Sequence, residues 1–151
     1  MKTFFLSLAP VLACGWMATL TPVVKAKVQT SQRMPLEESL KAWQWKKRVV
    51  LLGAPSTQQA DFVRQKALLA KEEAGLRERD IQVMEVHYDQ LDETDMIFLR
   101  ENLFIPTNAF TVVLIGKDGG VKVRQSLPLS TGDLFSTIDA MPMRRQEMRK
   151  N

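Results

Sequence analysis

The stretch Phe110 to Arg124, FTVVLIGKDGGVKVR, restricts the fold more than any other part of the chain. Val112, Val113, Leu114 and Ile115 form a β-branched and aliphatic run, KDGG supplies a turn, and Val121 and Val123 alternate with Lys122 and Arg124. This pattern predicts a β-hairpin. Asp118-Gly119 suits a tight primed turn, because glycine carries positive φ without strain and aspartate tolerates it. The first strand is apolar on both faces and belongs inside a sheet covered on each side, whereas the second alternates and reads as an edge. A layered α/β domain follows.

With 151 residues, 45% hydrophobic and 25% charged, the composition is that of one ordinary globular domain. The formal charge is +4, but Lys2 and Lys25 lie in a segment expected to be removed, and 21 basic residues less these two leaves 19 against 17 acidic. Nucleic acid is therefore not an expected partner, since phosphate steering needs a concentrated basic face.

Residues 1–26 read as a signal peptide: Lys2, then an apolar run from Phe4 to Met17, then small residues at Val24 and Ala26 before cleavage. Two alternatives stay open, a lipobox that lipidates Cys14 and an uncleaved anchor. Cleavage after Ala26 leaves a mature chain with no cysteine, which excludes disulfides and thiol catalysis. The expected location is periplasmic or secreted, with no stable membrane span in the mature form. Residues 27–34 are polar and aperiodic and read as a linker, and 35–151 as a single domain ending in a basic tail.

Leu36, Leu40 and Trp43 at helical spacing after Pro35 predict a short helix, with Trp43 and Trp45 packing it onto the sheet. Arg48 to Ala54, RVVLLGA, is a central strand. Ser56 or Thr57 can cap a helix running to about Arg77, with Phe62, Val63, Ala67, Ala70 and Ala74 on its buried side. Ile81 to His87 is the next strand and completes a βαβ unit. A helix from Thr94 to Leu103 precedes the hairpin, with Pro106 marking its end. Ser130 or Thr131 caps a last helix carrying Leu134, Phe135, Ile138 and Met141, which Pro142 ends.

The resulting order, β-α-β-α-β-β-α plus a short N-terminal helix, is that of a thioredoxin-like fold with a mixed sheet. Three stretches, WQWKKRVVLLGAPS at 43–56, FTVVLIGKDGGVKVR at 110–124 and LFSTIDAMPMRRQEMR at 134–149, closely resemble the peroxiredoxin-like domain of unknown function called P-DUDES. The resemblance runs from about Leu40 to Arg149. That family occurs in short secreted bacterial proteins and within vertebrate sushi-repeat and extracellular matrix proteins. The resemblance implies a thioredoxin-like, peroxiredoxin-like fold in an exported protein, with no catalytic role to carry over. Redox-active relatives of the fold place a reactive cysteine in the loop after the first strand, which here is APSTQQ, Ala54 to Gln59. They also place a cis-proline just before the hairpin, near Phe110 or Thr111 in this chain, and Pro106 falls too early to serve.

Ser56 and Thr57 occupy the place where this fold does its chemistry, at a helix N-terminus whose N–H groups and dipole favour an anion or a peptide carbonyl. The competing explanation is simple capping. His87, the lone histidine, has no nucleophile elbow beside it and reads as structural. Asp118 is explained by its turn. Met141, Met143 and Met148 could form a thioether site for Cu(I), but Met141 already continues an apolar helix face, and no metal or cofactor is expected. Arg144 and Arg145, with Arg149 and Lys150, form the dense cationic cluster; a solvated tail competes with a site for acidic groups, and internal pairing with Glu147 or Asp139 is a further alternative. The expectation from sequence is an exported non-catalytic binding module that contacts a protein or an anionic ligand. A cysteine-independent enzyme at the Ser56/Thr57 end of the sheet is the alternative.

Overall fold

The computed structural model describes residues 33–150. The expected signal segment with Cys14, and all but the end of the expected linker, lie outside them. The elements run α1 Leu36–Trp43, β1 Arg48–Ala54, α2 Ala60–Ala70, α3 Glu73–Glu78, β2 Ile81–His87, a 3-10 turn at Tyr88–Gln90, α4 Glu93–Glu101, β3 Thr111–Ile115, β4 Val121–Gln125, α5 Thr131–Asp139 and α6 Pro142–Lys150.

One four-stranded sheet has the order β2-β1-β3-β4. β1 is parallel to β2 and antiparallel to β3, and β3 is antiparallel to β4. Every residue of β1 and β3 is buried, because helices cover both faces. Val50, Leu52 and Ala54 join Phe62, Leu69, Leu76, Leu134 and Ile138 on one face. Val49 and Leu51 join Leu36, Leu99, Leu103 and Ile105 on the other. Strand side chains alternate between faces, so a strand covered twice must be apolar throughout. β4, at the edge, alternates half-buried and exposed residues.

The structure corrects several expectations. The long helix expected up to Arg77 is two helices, broken at Lys71–Glu72, and its buried face is Phe62, Gln65 and Leu69, followed by Leu76. Val63, Ala67, Ala70 and Ala74 are exposed. The break turns the chain so that Gly75 lies against the Phe135 ring, where a Cβ would stand only 2.7 Å from it. α4 starts one residue earlier than expected, at Glu93, because Asp92 caps it by accepting from the Asp95 N–H. In the hairpin, Gly119 has φ 83° as expected, but Asp118 does not share the left-handed region. The Gly119 N–H donates to the Gly116 carbonyl and the Gly116 N–H to that of Gly120. That is a longer loop with glycine in the bulge position, not a two-residue primed turn.

Trp43 packs against the core, whereas Trp45 is 66% exposed with φ 66°. Its N–H is spent on the Lys117 carbonyl, which pins α1's exit to the hairpin loop instead of seating the indole on the sheet. The expected basic tail is helix α6. Pro142 ends α5 and also begins α6, for its fixed φ suits a first helical position.

Candidate functional site

The loop from β1 to α2 opens at the C-terminal end of the sheet. Ser56 is half-buried and Thr57 exposed, and neither caps α2. The capping position is Gln59, whose side chain makes no capping bond. The first N–H groups of α2 therefore have no side-chain acceptor, the condition under which a helix N-terminus attracts an anion or a carbonyl. The Gln59 Oε1 atom is buried without a partner, and so is Nδ1 of His87 at the end of β2. Phe62, in the first turn of α2, meets the His87 ring edge-on at 4.9 Å between centroids. Both belong to the face of the sheet that α2 covers.

On the opposite face of the same end, Tyr88 crosses over Gly53. A Cβ at Gly53 would fall within 2.2 Å of the Tyr88 hydroxyl, so only glycine admits the ring there. Gly53 pairs with Thr111 across the β1–β3 ladder. Tyr88 and Thr111 are 6% and 1% exposed, and neither hydroxyl completes a well-formed hydrogen bond. Burial pushes the Tyr88 phenol above its ordinary value, with the nearby Thr111 hydroxyl pulling weakly the other way. Thr111 opens β3, and no cis peptide bond occurs among the described residues.

The expected arginine pair is divided. Arg145 is exposed on α6. Arg144 is 3% exposed and is spent inside the fold: it donates to the Glu78 carbonyl at 3.0 Å, to the Glu78 carboxylate, and to Asp139 at 3.2 Å. Of the readings for this residue, internal pairing is the one its geometry matches. Arg79 grips the same Asp139 at 2.7 and 3.0 Å and lies 4.3 Å over the Phe135 ring. Nearby, Arg48, 1% exposed, donates to both oxygens of Glu147 at 3.1 and 3.2 Å, and Lys117 bridges Glu147 and Asp80 at 2.8 Å each. Burial opposes ionisation of Asp139 and Glu147, but bonds from Arg79 and Arg144 to the first, and from Lys117 and Arg48 to the second, outweigh it. Both carboxyls are held below their usual range. This lattice ties α6 to the N-terminal end of the sheet.

Met141 and Met143 border a cavity of about 310 Å³ with Arg48, Gly116, Asp118, Lys122 and Pro142, while Met148 is 44% exposed. Among the described residues no group of His, Cys, Asp or Glu is arranged to hold a metal ion, and no helix is long and apolar enough to cross a membrane.

Sequence reasoning offered pairing of the α6 arginines with Asp139 or Glu147 as one alternative, but it missed the arms of the ionic lattice that come from Arg48, Arg79 and Lys117, and it missed the crossing of Tyr88 over Gly53. The first had one signal, an arginine opening an otherwise apolar strand; the second had another, a glycine inside that strand.

Comparison with known proteins places this geometry. Residues 39–147 match the family described as domain of unknown function (DUF4174). Coiled-coil domain-containing protein 80 of Danio rerio is 27% identical over 137 residues, covering 75% of this chain and 16% of that protein. The chain thus spans a small part of that relative's length. Among solved structures, a Plasmodium yoelii thioredoxin peroxidase I superposes with TM-score 0.52 at 16% identity, over 74% of this chain and 81% of that one. A reduced 2-Cys peroxiredoxin of Plasmodium vivax gives TM-score 0.48 at 17% identity, over 74% and 85%. The first of these carries the assignment of a thioredoxin-like, peroxiredoxin-like fold, in agreement with the match to a domain of unknown function.

Proposed function

We propose, for a chain that belongs to the DUF4174 family, that it is an exported, periplasmic or secreted, non-catalytic binding module that takes an anionic or carbonyl-bearing ligand at the amino end of α2. One observation carries this reading. The loop Ala54–Gln59 lacks the thiol that redox relatives hold there, yet it leads into a helix start without a side-chain cap, beside the unpartnered Gln59 Oε1 and His87 Nδ1. N–H donors together with unused side-chain atoms suit a group that both accepts and donates, such as a peptide unit or a protonated acid. Ser56 and Thr57 flank this point and are the proposed contacts. Arg145 offers a second, exposed cation for an acidic partner. The role expected of Arg144 is not proposed again, because its guanidinium is spent on Glu78 and Asp139.

The alternative, a cysteine-independent enzyme at the same end, draws on Tyr88, a buried titratable group with a raised phenol. Its ring fills the space over Gly53 and leaves a reactant no approach from that face, so binding is favoured over catalysis.

Amide spectra of the exported protein, titrated separately with inorganic phosphate and with a short uncharged peptide, test the reading. The Ala60, Asp61 and Phe62 amides should move on addition of one of the two, and the Ser56→Ala, Thr57→Ala double variant should weaken that response. Amides of α2 that stay still with both probes would remove the site.

A further inference from the structure

The two outer edges of the sheet are not alike. β4 is five residues long, its register with β3 shifts between Leu114 and Ile115, and it carries Lys122 and Arg124. Pairing β4 antiparallel with its own copy about Val123 would set Lys122 of one chain against Arg124 of the other. Like charges directly opposed destabilise such a pair, and a bulge with cationic side chains is a common way to blunt an edge.

β2 has none of these defences. Its seven residues, IQVMEVH, keep unbroken register with β1 and contain no proline. Its charged residue, Glu85, is already neutralised by Lys66 at 2.9 Å. Among the described residues no strand pairs with its outer side, and no backbone group outside the sheet bonds to it. The Gln82 side chain donates to the Val83 carbonyl at 3.1 Å, a local cap that an incoming N–H can replace. Gln82, Val83, Met84, Glu85 and His87 are only half-buried.

We propose that β2 is a docking edge for a second copy of this chain, pairing antiparallel with its own counterpart so that two four-stranded sheets become one. A two-fold axis makes the contact self-complementary and closed. The register that uses all of β2 centres on Met84 and sets Ile81 opposite His87, Gln82 opposite Val86 and Val83 opposite Glu85. No like charges face each other in it, in contrast to β4. The incoming Val83 also arrives opposite Glu85, at the rim of a cavity of about 210 Å³ lined by Leu69, Leu76 and Val83 together with Lys66, Glu73 and Glu85. Apolar surface there leaves water as the backbone groups pair. The association rests on backbone pairing along β2 and needs no ligand at α2, although His87 stands at the end of the one and beside the other.

Sedimentation of the unmodified exported protein over rising concentration should show its mass double. In a Cys14→Ala background, Met84→Cys puts two thiols across the axis at a separation within disulfide reach, so mild oxidation should convert the protein to a covalent dimer. Val123→Cys, the equivalent position on β4, should stay monomeric under the same treatment. Circular dichroism of each variant confirms that it is folded, and sedimentation of the unmodified chain needs no variant at all. A protein that stays monomeric at every concentration overturns the proposal, as does a dimer that Val123→Cys traps and Met84→Cys does not.

Discussion

Gly53 sits in the middle of an apolar strand because Tyr88 needs the room above it. Adding one methyl would force its Cβ to within 2.2 Å of the hydroxyl of a side chain only 6% exposed, and such overpacking usually costs about 1–3 kcal/mol. Gly53→Ala is therefore expected to lower the melting temperature, and adding Tyr88→Phe, which deletes the clashing oxygen, should recover part of the loss. Two independent, additive losses would show that the residues do not touch. The neighbouring arginines on α6 separate by the same kind of accounting. Removing Arg144 leaves Asp139 to Arg79 alone and takes a guanidinium from Glu78; because Asp139 keeps that partner and Glu78 is 63% exposed and screened by solvent, the cost should be about 2 kcal/mol, below the range for a fully buried pair. Arg145→Ala should leave the stability within about 0.5 kcal/mol of the parent, as exposed substitutions do. Separate thermal melts of the two single variants decide this, and equal destabilisation would contradict the division between them.

Elements are held in this protein by two different forces. The hairpin depends on backbone conformation: Gly119, at φ 83° with the Gln44 side chain 3.0 Å from any Cβ it might carry, has no room for a β-branched residue. Gly119→Val should cost more than about 1 kcal/mol, measured by denaturant unfolding, and an unchanged midpoint would refute the turn geometry. Lys117 beside it is not the dispensable surface lysine that its place in a turn suggests, since its ammonium joins Asp80 to Glu147. α6 depends on charge, for its one buried residue is Arg144. Asp139 and Glu147 have folded-state pKa values below their ordinary ones. Their contribution is thus fully present above the unfolded-state values, about pH 4, and is lost as pH falls through the depressed folded-state values. Lowering the pH through that window should raise amide exchange in α6 before it does so in β1 and β3, whose apolar packing does not titrate. Simultaneous loss of protection in all three would contradict this.

At the scale of the whole molecule, helices on both faces of a mixed sheet build a thioredoxin-like frame. The loop Ala54–Gln59, at the end of β1, holds no cysteine. The expectation of export is a matter of mass. Protein recovered from outside the cytoplasm should begin at Lys27 and, lacking any cysteine, should turn over neither disulfides nor peroxide. An acylated chain beginning at Cys14 would contradict cleavage after Ala26.

The sequence by itself determined the strands, the hairpin and the family. RVVLLGA, IQVMEVH and TVVLI are runs whose apolar character is a local property, and the structure keeps β1 and β2 at the residues predicted. Ser130 was likewise legible as a cap, and it accepts from the Asp133 N–H. Only the tertiary structure decided what the polar residues do. Ser56 looks like a cap in its local window, but helix α2 starts beyond it because Phe62 and Leu69 must reach the core. Arg144 looks solvated within PMRRQEMRK and is buried by Glu78, which lies 66 positions away. Arg48 meets Glu147 across 99 positions. Apolar periodicity is written into neighbouring residues, whereas a charge finds its partner only after the chain has folded, and no spacing along the sequence records which partner that is.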